Sequence, residues 1–278
     1  MMRGKKKTIV QCIIHIFLMF LVLFQLFPLI VLALNSLRTD IEIKNMPIGI
    51  PKHLEFTNYI QTWIKGSYAI AFRNSIFIGM CVILIVLVAA SLAAYGLARL
   101  NIPGKAFFIA YFMLGMSFPT FLYIVPLYYN FSKLGLINTQ LSLIIIYSAG
   151  YIPFSILLIR TFLVGIPKEL EEAGKIDGCS EVGVFLHVTL PLLKPILTTV
   201  ALIVFVWCWN EFLWSNTFIT ADELRTVATR FYKFTSEWSK DLAKIYTAGI
   251  IALSPIVLLY LCLQKAFIEG LTQGAVKG

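Results

Sequence analysis

Six long apolar runs restrict this chain to a fold whose solvent is mostly lipid. Hydrophobic residues make up 59% of the 278 positions and charged residues only 13%, a balance far from that of soluble domains. A helix needs roughly 20 residues to cross a hydrocarbon core of about 30 Å. The runs that meet this length lie near 9–34, 74–98, 106–129, 140–163, 196–219 and 246–268. We therefore predict an all-α integral membrane protein, with six transmembrane helices in a single domain of residues 1–278.

Charges at the start of the chain indicate how the spans are oriented. Arg3, Lys5, Lys6 and Lys7 precede the first run, and basic residues accumulate on the cytoplasmic side of a membrane. With both termini inside, all 23 basic residues together divide almost evenly between the two sides, so this cluster decides the orientation. The first run is too long for a signal-peptide core and has no small-x-small cleavage site, so we expect it to be retained. Both termini are then predicted to be cytoplasmic.

Composition also argues against two other classes of function. The net charge of +9 is scattered among the loops and forms no basic stripe with interleaved aromatic residues, so no nucleic-acid partner is expected. The five cysteines, at positions 12, 81, 179, 208 and 262, include no CxxC pair. We therefore predict no disulfide framework, no metal site and no cofactor in this chain.

A polar, glycine-containing segment at 165–195 separates the fourth run from the fifth. Three acidic residues near its start, Glu169, Glu171 and Glu172, suit the first turn of a helix. Helical spacing would place several small residues on one face, which would let another backbone come close. The residues of that face are Leu170, Ala173, Gly174, Asp177 and Gly178. We expect Gly183 to break this helix, and the whole segment to form a helix-turn-helix on the membrane surface.

The fifth run contains the candidate for a substrate path. Asn210 and Glu211 lie within it beside Trp207, and an ionisable group at membrane depth suggests a functional site. Aromatic faces next to polar groups also suit sugar rings. An alternative stays open, in which Glu211 lies near the outer interface, pairs with an arginine or caps a neighbouring helix, and the tryptophans form an interfacial belt.

The polar segment carries a family resemblance. Glu172-Ala173-Gly174, then Gly178, then Val188-Thr189-Leu190-Pro191 resemble the EAA signature of ABC-importer permeases: Glu-Ala-Ala, three residues, Gly, nine residues, Ile-x-Leu-Pro. Gly174 stands where the signature has its second Ala, and Val188 where it has Ile. Three further pieces resemble the carbohydrate-uptake branch, in particular the MalG-like subunit of a maltose-type permease pair: IPFSILLIRTF, WNEFLW and the ending GLTQGAVKG.

The resemblance implies a function and a set of partners. The segment would be a coupling helix seated on a cytoplasmic ATPase, through Glu172, Ala173, Gly174, Asp177, Gly178, Leu190 and Pro191. A second homologous permease would complete the pore, two ATPase copies would use ATP and Mg, and an extracytoplasmic solute-binding protein would meet the outer loop 221–245. The chain has no GxxxxGK[ST] motif, so we expect it not to be an enzyme. Carbohydrate would be the substrate and a bacterial or archaeal cytoplasmic membrane the location.

Other classes account less well for the sequence. A secondary transporter should show repeated halves and ionisable residues in several spans, but only Glu211 is a candidate here. A membrane enzyme would need a catalytic constellation, whereas the histidines at 15, 53 and 187 fall in different predicted compartments. An ABC permease for a non-sugar solute would carry the same polar segment, and it is the nearest alternative.

Overall fold

The structure, a computed structural model, describes residues 2–235 and 241–275. Within these ranges the chain forms helices joined by turns, which confirms the predicted all-α class. The α-helices are α1 (Met2–Ser36), α2 (Asp40–Asn45), α3 (Thr57–Lys65), α4 (Tyr68–Arg99), α5 (Lys105–Ser117), α6 (Ile124–Lys133), α7 (Gln140–Val164), α8 (Glu169–Ile176), α9 (Glu181–Val184), α10 (Leu190–Leu192), α11 (Lys194–Asn210), α12 (Leu213–Phe218) and α13 (Leu242–Ala275). A π-helical turn, Phe185–Thr189, joins α9 to α10, and 3-10 turns cover Thr120–Leu122, Asp222–Leu224 and Val227–Phe234.

Four helical stretches are long and apolar enough to cross a membrane. They are Gln11–Ser36, Tyr68–Arg99, Gln140–Val164 and Leu242–Cys262, and they coincide with the first, second, fourth and sixth predicted spans. A pair of helices bent by 71°, Glu181–Leu192 and Lys194–Asn210, would make a fifth. The described residues therefore hold four or five candidate spans, as expected for a multi-pass membrane protein, where the sequence predicts six.

The third predicted span, 106–129, does not form one helix. A break follows α5, because Pro119 has no N–H to donate and restricts the residue before it to extended backbone. Phe118 accordingly has φ −76° and ψ 127°. Pro126, by contrast, lies in the first turn of α6, where its missing N–H removes no helical hydrogen bond. The run is apolar throughout but is divided into two shorter helices.

The fifth predicted span, 196–219, is divided as well. α11 ends at Asn210, Glu211 has extended backbone with φ −70° and ψ 116°, and α12 begins at Leu213. No proline lies at this break. The carboxylate of Glu211 stabilises it instead, through contacts described below.

The chain divides into two compact units. The larger comprises residues 69–229 and 255–278. Its core is formed by small and β-branched side chains of α4, α7 and α11, all almost completely buried: Val82, Val86, Ala90, Ala94, Ile156, Ile159, Val200 and Val204. Small side chains let helices approach closely in lipid, where van der Waals packing drives their association.

The smaller unit comprises residues 1–68 and 230–254. Within it, α13 packs closely on α1, because a Cβ built on Gly249 would lie 3.0 Å from Leu32 Cδ1. Thr247 Oγ1 also donates a hydrogen bond to the carbonyl of Ser36 at 3.1 Å. A glycine and a hydroxyl thus attach the end of α1 to the start of α13.

Candidate functional site

The segment between α7 and α11 forms the predicted helix-turn-helix. Glu169, Glu171 and Glu172 occupy the first turn of α8, where the helix dipole stabilises negative charge. α9, the π-helical turn and α10 then lead back to the bundle. We call residues 165–195 the polar loop.

Gly178 ends α8 through its backbone conformation. Its φ is +88°, and a Cβ built there would have no atom within 4 Å. The N–H of Cys179 donates to the carbonyl of Gly174 at 3.0 Å, which is the long hydrogen bond of a Schellman cap. Glycine adopts this left-handed conformation at little cost. The conformation of the turn therefore requires glycine, and no crowding within the chain does.

The prediction that Gly183 breaks the helix is wrong. Gly183 lies inside α9, and its N–H donates to Oγ of Ser180, the N-cap residue, at 3.2 Å. Ser180 starts a new helix directly after the turn at Gly178, because its hydroxyl satisfies a free backbone donor. The signal in the sequence is Ser180, whose hydroxyl caps α9, and not Gly183.

Gly174 provides close packing inside the polar loop. It is buried, and a Cβ built on it would lie 3.1 Å from Val188 Cγ2 and 3.6 Å from Val184 Cγ2. The two positions that depart from the EAA signature, Gly174 and Val188, therefore lie against each other. α8 packs on the π-helical turn through this contact.

Most other residues predicted for this site are at the surface. Glu172, Ala173, Asp177, Gly178 and Pro191 are exposed, and Leu190 is half-buried. Two large apolar side chains of α8 are exposed with them, Ile176 at 86% and Leu170 at 45%. The outer face of α8 thus combines carboxylates with uncovered apolar side chains, a mixture typical of a surface that binds another protein.

A buried ion pair that sequence reasoning missed attaches the polar loop to α4. Arg99 Nε lies 2.8 Å from Glu171 Oε1, with the two side chains 5% and 8% exposed. Thr189 Oγ1 donates to the same carboxylate oxygen at 3.2 Å, and a terminal nitrogen of Arg99 donates to the carbonyl of Ile166 at 2.9 Å. Glu171 therefore joins α4, α8 and the π-helical turn at one point.

A second set of polar contacts lies one turn earlier on α4. Tyr95 OH donates to Glu181 Oε1 at 2.9 Å, and Lys175 Nζ lies 2.7 Å from Glu181 Oε2. The hydrogen bond to Glu181 raises the pKa of Lys175. The ring of Tyr95 also meets that of Phe185 edge-on, with 5.1 Å between centroids. Both helices of the polar loop are thus held by the same end of α4.

Only a weak signal for these contacts is present in the sequence. Glu171 lies next to Glu172 in an acidic run, and Arg99 is a basic residue at the end of a span, where such residues are common. Helical spacing separates the two carboxylates, because neighbouring residues do not share a helix face. Which of them is buried depends on how α8 packs, which the sequence does not reveal.

Glu211 caps the short helix α12. Its carboxylate accepts hydrogen bonds from the backbone N–H groups of Trp214 and Ser215, at distances of 3.0 to 3.2 Å. Tyr147 OH also donates to Glu211 Oε2 at 2.9 Å. These contacts match the alternative in which Glu211 caps a neighbouring helix. The half-buried carboxylate therefore stabilises the break between α11 and α12.

The other two residues of the predicted substrate path make different contacts. Asn210 is exposed and its amide donates to the carbonyl of Val206, within its own helix. Trp207, 37% exposed, packs against Tyr151 and Phe154, with ring centroids 5.1 and 4.9 Å apart. The structure thus forms an aromatic cluster at Trp207 but brings neither Asn210 nor Trp207 into a hydrogen bond with Glu211 among the described contacts.

The opposite end of α4 holds the segment that follows α12. Asn74 is fully buried and its amide donates to the carbonyls of Glu223 and Arg225, at 2.8 and 3.2 Å. Its Oδ1 accepts from Gln140 Nε2 at 2.9 Å. Ser75 Oγ accepts from the N–H of Val227 at 3.0 Å. Residues 223–227 are therefore bonded to α4, and Asn74 is held in turn by Gln140 of α7.

The turn before α7 contacts the residues that directly precede this segment. Asn138 has φ +58°, and its side-chain oxygen accepts from the N–H groups of Thr220 and Ala221 at 2.6 and 2.9 Å. Asparagine tolerates the left-handed conformation better than most residues. The predicted outer loop, 221–245, thus has an ordered first part, while its residues 236–240 lie outside the described residues.

An all-helical membrane bundle with an EAA-bearing polar loop defines a class of protein, the permeases of binding-protein-dependent importers. The chain belongs to the family described as "Binding-protein-dependent transport system inner membrane component", which it matches over residues 85–273. This family consists of transport components and not of enzymes. The predicted resemblance to ABC-importer permeases is confirmed.

Relatives extend the likeness over almost the whole chain. The "Probable ABC transporter permease protein YurM" of Bacillus subtilis is 33% identical over 99% of this chain and 91% of its own length. The arabinooligosaccharides transport system permease protein AraQ of Halalkalibacterium halodurans is 30% identical over 100% of both. The predicted likeness to the carbohydrate-uptake branch is confirmed by such relatives.

A solved structure shares the fold. A chain from the crystal structure of a bacterial ABC transporter involved in the import of the acidic polysaccharide alginate superposes with a TM-score of 0.81 at 22% identity. The match covers 94% of this chain and 98% of the other. The two chains therefore share one fold.

Proposed function

We propose that this chain is one of the two permease subunits of an ATP-driven importer for a carbohydrate, an oligosaccharide or a sugar derivative. The observation that carries the proposal is the polar loop, in which the EAA residues are held by a buried ion pair while Glu172, Ala173 and Asp177 stay exposed. Relatives named for the transport of arabinooligosaccharides support carbohydrate as the substrate class. A non-sugar solute is the alternative.

Six crossings of the membrane are part of the proposal. In the larger unit, Arg99 contacts the polar loop at one end of α4, and Asn74 contacts residues 223–225 at the other. The chain between Arg99 and Asn138 connects these two ends, so α5 and α6 together act as a broken third crossing. In the same way α11 and α12 connect the polar loop to Thr220. With α1, α4, α7 and α13, the total is six, with both termini in the cytoplasm.

The exposed face of α8 is proposed as the contact with a cytoplasmic ATPase. Glu172 and Asp177 offer carboxylates for ion pairs, and Ile176 and Leu170 offer apolar area. The chain itself has no phosphate-binding motif, so ATP and Mg would be bound by two copies of that partner. Closure of the ATPase pair would displace α8 and change access to the pore.

The remaining partners follow from the same architecture. A second homologous permease would complete the pore, and an extracytoplasmic solute-binding protein would meet the segment from 221 onwards. In the substrate path, Trp207 is the residue best suited to stack on a sugar ring, since it is partly exposed within an aromatic cluster. Glu211 would shape this path through its cap, and Asn210 would offer an exposed amide.

Affinity purification from native membranes tests the proposal. The tagged chain in mild detergent should bring down an ATPase and a second permease, identified by mass spectrometry. Gly178→Trp should lose the ATPase, whereas Gly135→Trp should keep it. The two glycines are matched, because both have positive φ and both have no atom within 4 Å of a built Cβ, but only Gly178 lies in the polar loop. Recovery of the tagged chain alone from transporting membranes would favour a secondary transporter.

A further inference from the structure

The two ends of α4 are attached to two functional segments of the same unit. At one end, Arg99 and Tyr95 bind the polar loop through Glu171 and Glu181. At the other end, Asn74 and Ser75 bind the segment 222–227 through its backbone. An α-helix of 32 residues is about 48 Å long. One helix therefore connects the proposed ATPase side directly to the proposed binding-protein side.

The attachments at both ends are buried and specific. Arg99 and Glu171 are 5% and 8% exposed, so loss of either partner would leave the other as an uncompensated buried charge, at a large cost. Asn74 is 0% exposed, and its amide donates to the backbone carbonyls of Glu223 and Arg225, so loss of the amide would remove two buried hydrogen bonds. A shift of α8 would therefore act on α4 through Arg99, and a shift of α4 would act on the segment 222–227 through Asn74 and Ser75.

We infer that α4 transmits the state of the solute-binding protein to the ATPase, with Arg99–Glu171 and Asn74 as its two positioning attachments. The inference rests on the proposed function and adds named residues and a route to it. Arg99, Glu171 and Asn74 touch no substrate in this account. They act by holding α8, α4 and the segment 222–227 in fixed positions relative to one another.

The test separates this role from a purely structural one. The double variant Arg99→Met/Glu171→Met removes both charges together and leaves no unpaired buried ion, a change that proteins often tolerate. The purified complex should keep its ATPase and its basal ATP hydrolysis. Stimulation of hydrolysis by the loaded binding protein should fall by at least about fivefold, the lower range of typical coupling between sites. Glu169→Gln, an exposed carboxylate on the same helix, is the matched control and should keep full stimulation.

A second variant changes the other end of α4, and it tests the inference even if the first variant fails to assemble. Asn74→Leu should lower stimulation by a similar factor while the ATPase stays bound, because the change lies at the far end of α4 from the polar loop. Full stimulation in either assembled variant overturns the inference. A wild-type chain that brings down no ATPase refutes the proposed function itself, and the inference with it.

Discussion

Gly174 and Gly178, four residues apart in the sequence, have different physical tasks. Gly178 adopts φ +88° in open space, and Gly174 is packed against Val188. Sequence reasoning assigned one reason to both, close approach of another backbone. The structure supports that reason only for Gly174, and the approaching group is a side chain of the same loop.

Substitutions at Gly178 should follow backbone preference and not size. Gly178→Ala is expected to cost about 1 kcal/mol, because a left-handed conformation costs L-residues roughly that much. Gly178→Asn should cost less, since asparagine tolerates this region, and Gly178→Val should cost more. Thermal unfolding of the purified chain in detergent would rank the three variants. Equal midpoints for Asn and Val would contradict the account.

Gly174 and Val188 should behave as a coupled pair. Gly174→Leu would place a large side chain against Val188, and overpacking typically costs about 1–3 kcal/mol. Val188→Ala in the same chain should recover part of this loss by making room. A double-mutant cycle on unfolding midpoints measures the coupling. Strictly additive effects would show that the two residues do not share the contact described here.

At the scale of elements, Glu211 caps the helix α12. As a helix cap, Glu211→Ala should destabilise the protein by about 1–2 kcal/mol, through lost bonds to the N–H groups of Trp214 and Ser215. Glu211→Gln retains an acceptor oxygen and should lose less. Tyr147→Phe should cost about 1 kcal/mol through one lost hydrogen bond. A large rise in the KM for transport in Glu211→Gln, with unchanged stability, would instead indicate direct contact with substrate.

Elements were predictable from the sequence where they depend on composition alone. The runs at 74–98 and 140–163 form α4 and α7 almost as predicted, because long apolar stretches have few alternatives in lipid. The runs at 106–129 and 196–219 were predicted as single helices and are not. In the run at 106–129, Pro119 interrupts the helix, although the run is apolar throughout. In the second, the break depends on Tyr147 and Glu211, which are 64 residues apart, and a local pattern does not reveal such a contact.

The same division applies to the candidate site. The EAA spacing locates the polar loop and its exposed residues, since spacing is a property of the sequence. The attachment of that loop by Arg99, Tyr95 and Glu181 depends on packing between distant segments. Sequence reasoning therefore found the proposed contact surface but missed what holds it in place.

At the scale of the whole molecule, the proposed topology makes a simple prediction. Single cysteines introduced at Ile176 and at Gly135, in a chain whose five native cysteines are replaced by serine or alanine, should lie on opposite sides of the membrane. A membrane-impermeant maleimide should label position 135 in intact cells and position 176 only after permeabilisation. Labelling of both positions in intact cells would contradict the six-crossing arrangement.

As a whole, the chain is proposed to convert ATP hydrolysis by a partner into carbohydrate import. The most direct measurement is uptake of radiolabelled oligosaccharides into proteoliposomes that contain the purified complex, with binding protein outside and ATP inside. We predict uptake that requires both ATP and the binding protein and that persists when ion gradients are dissipated by ionophores. Uptake that needs no internal ATP and stops with the ion gradient would contradict the central claim.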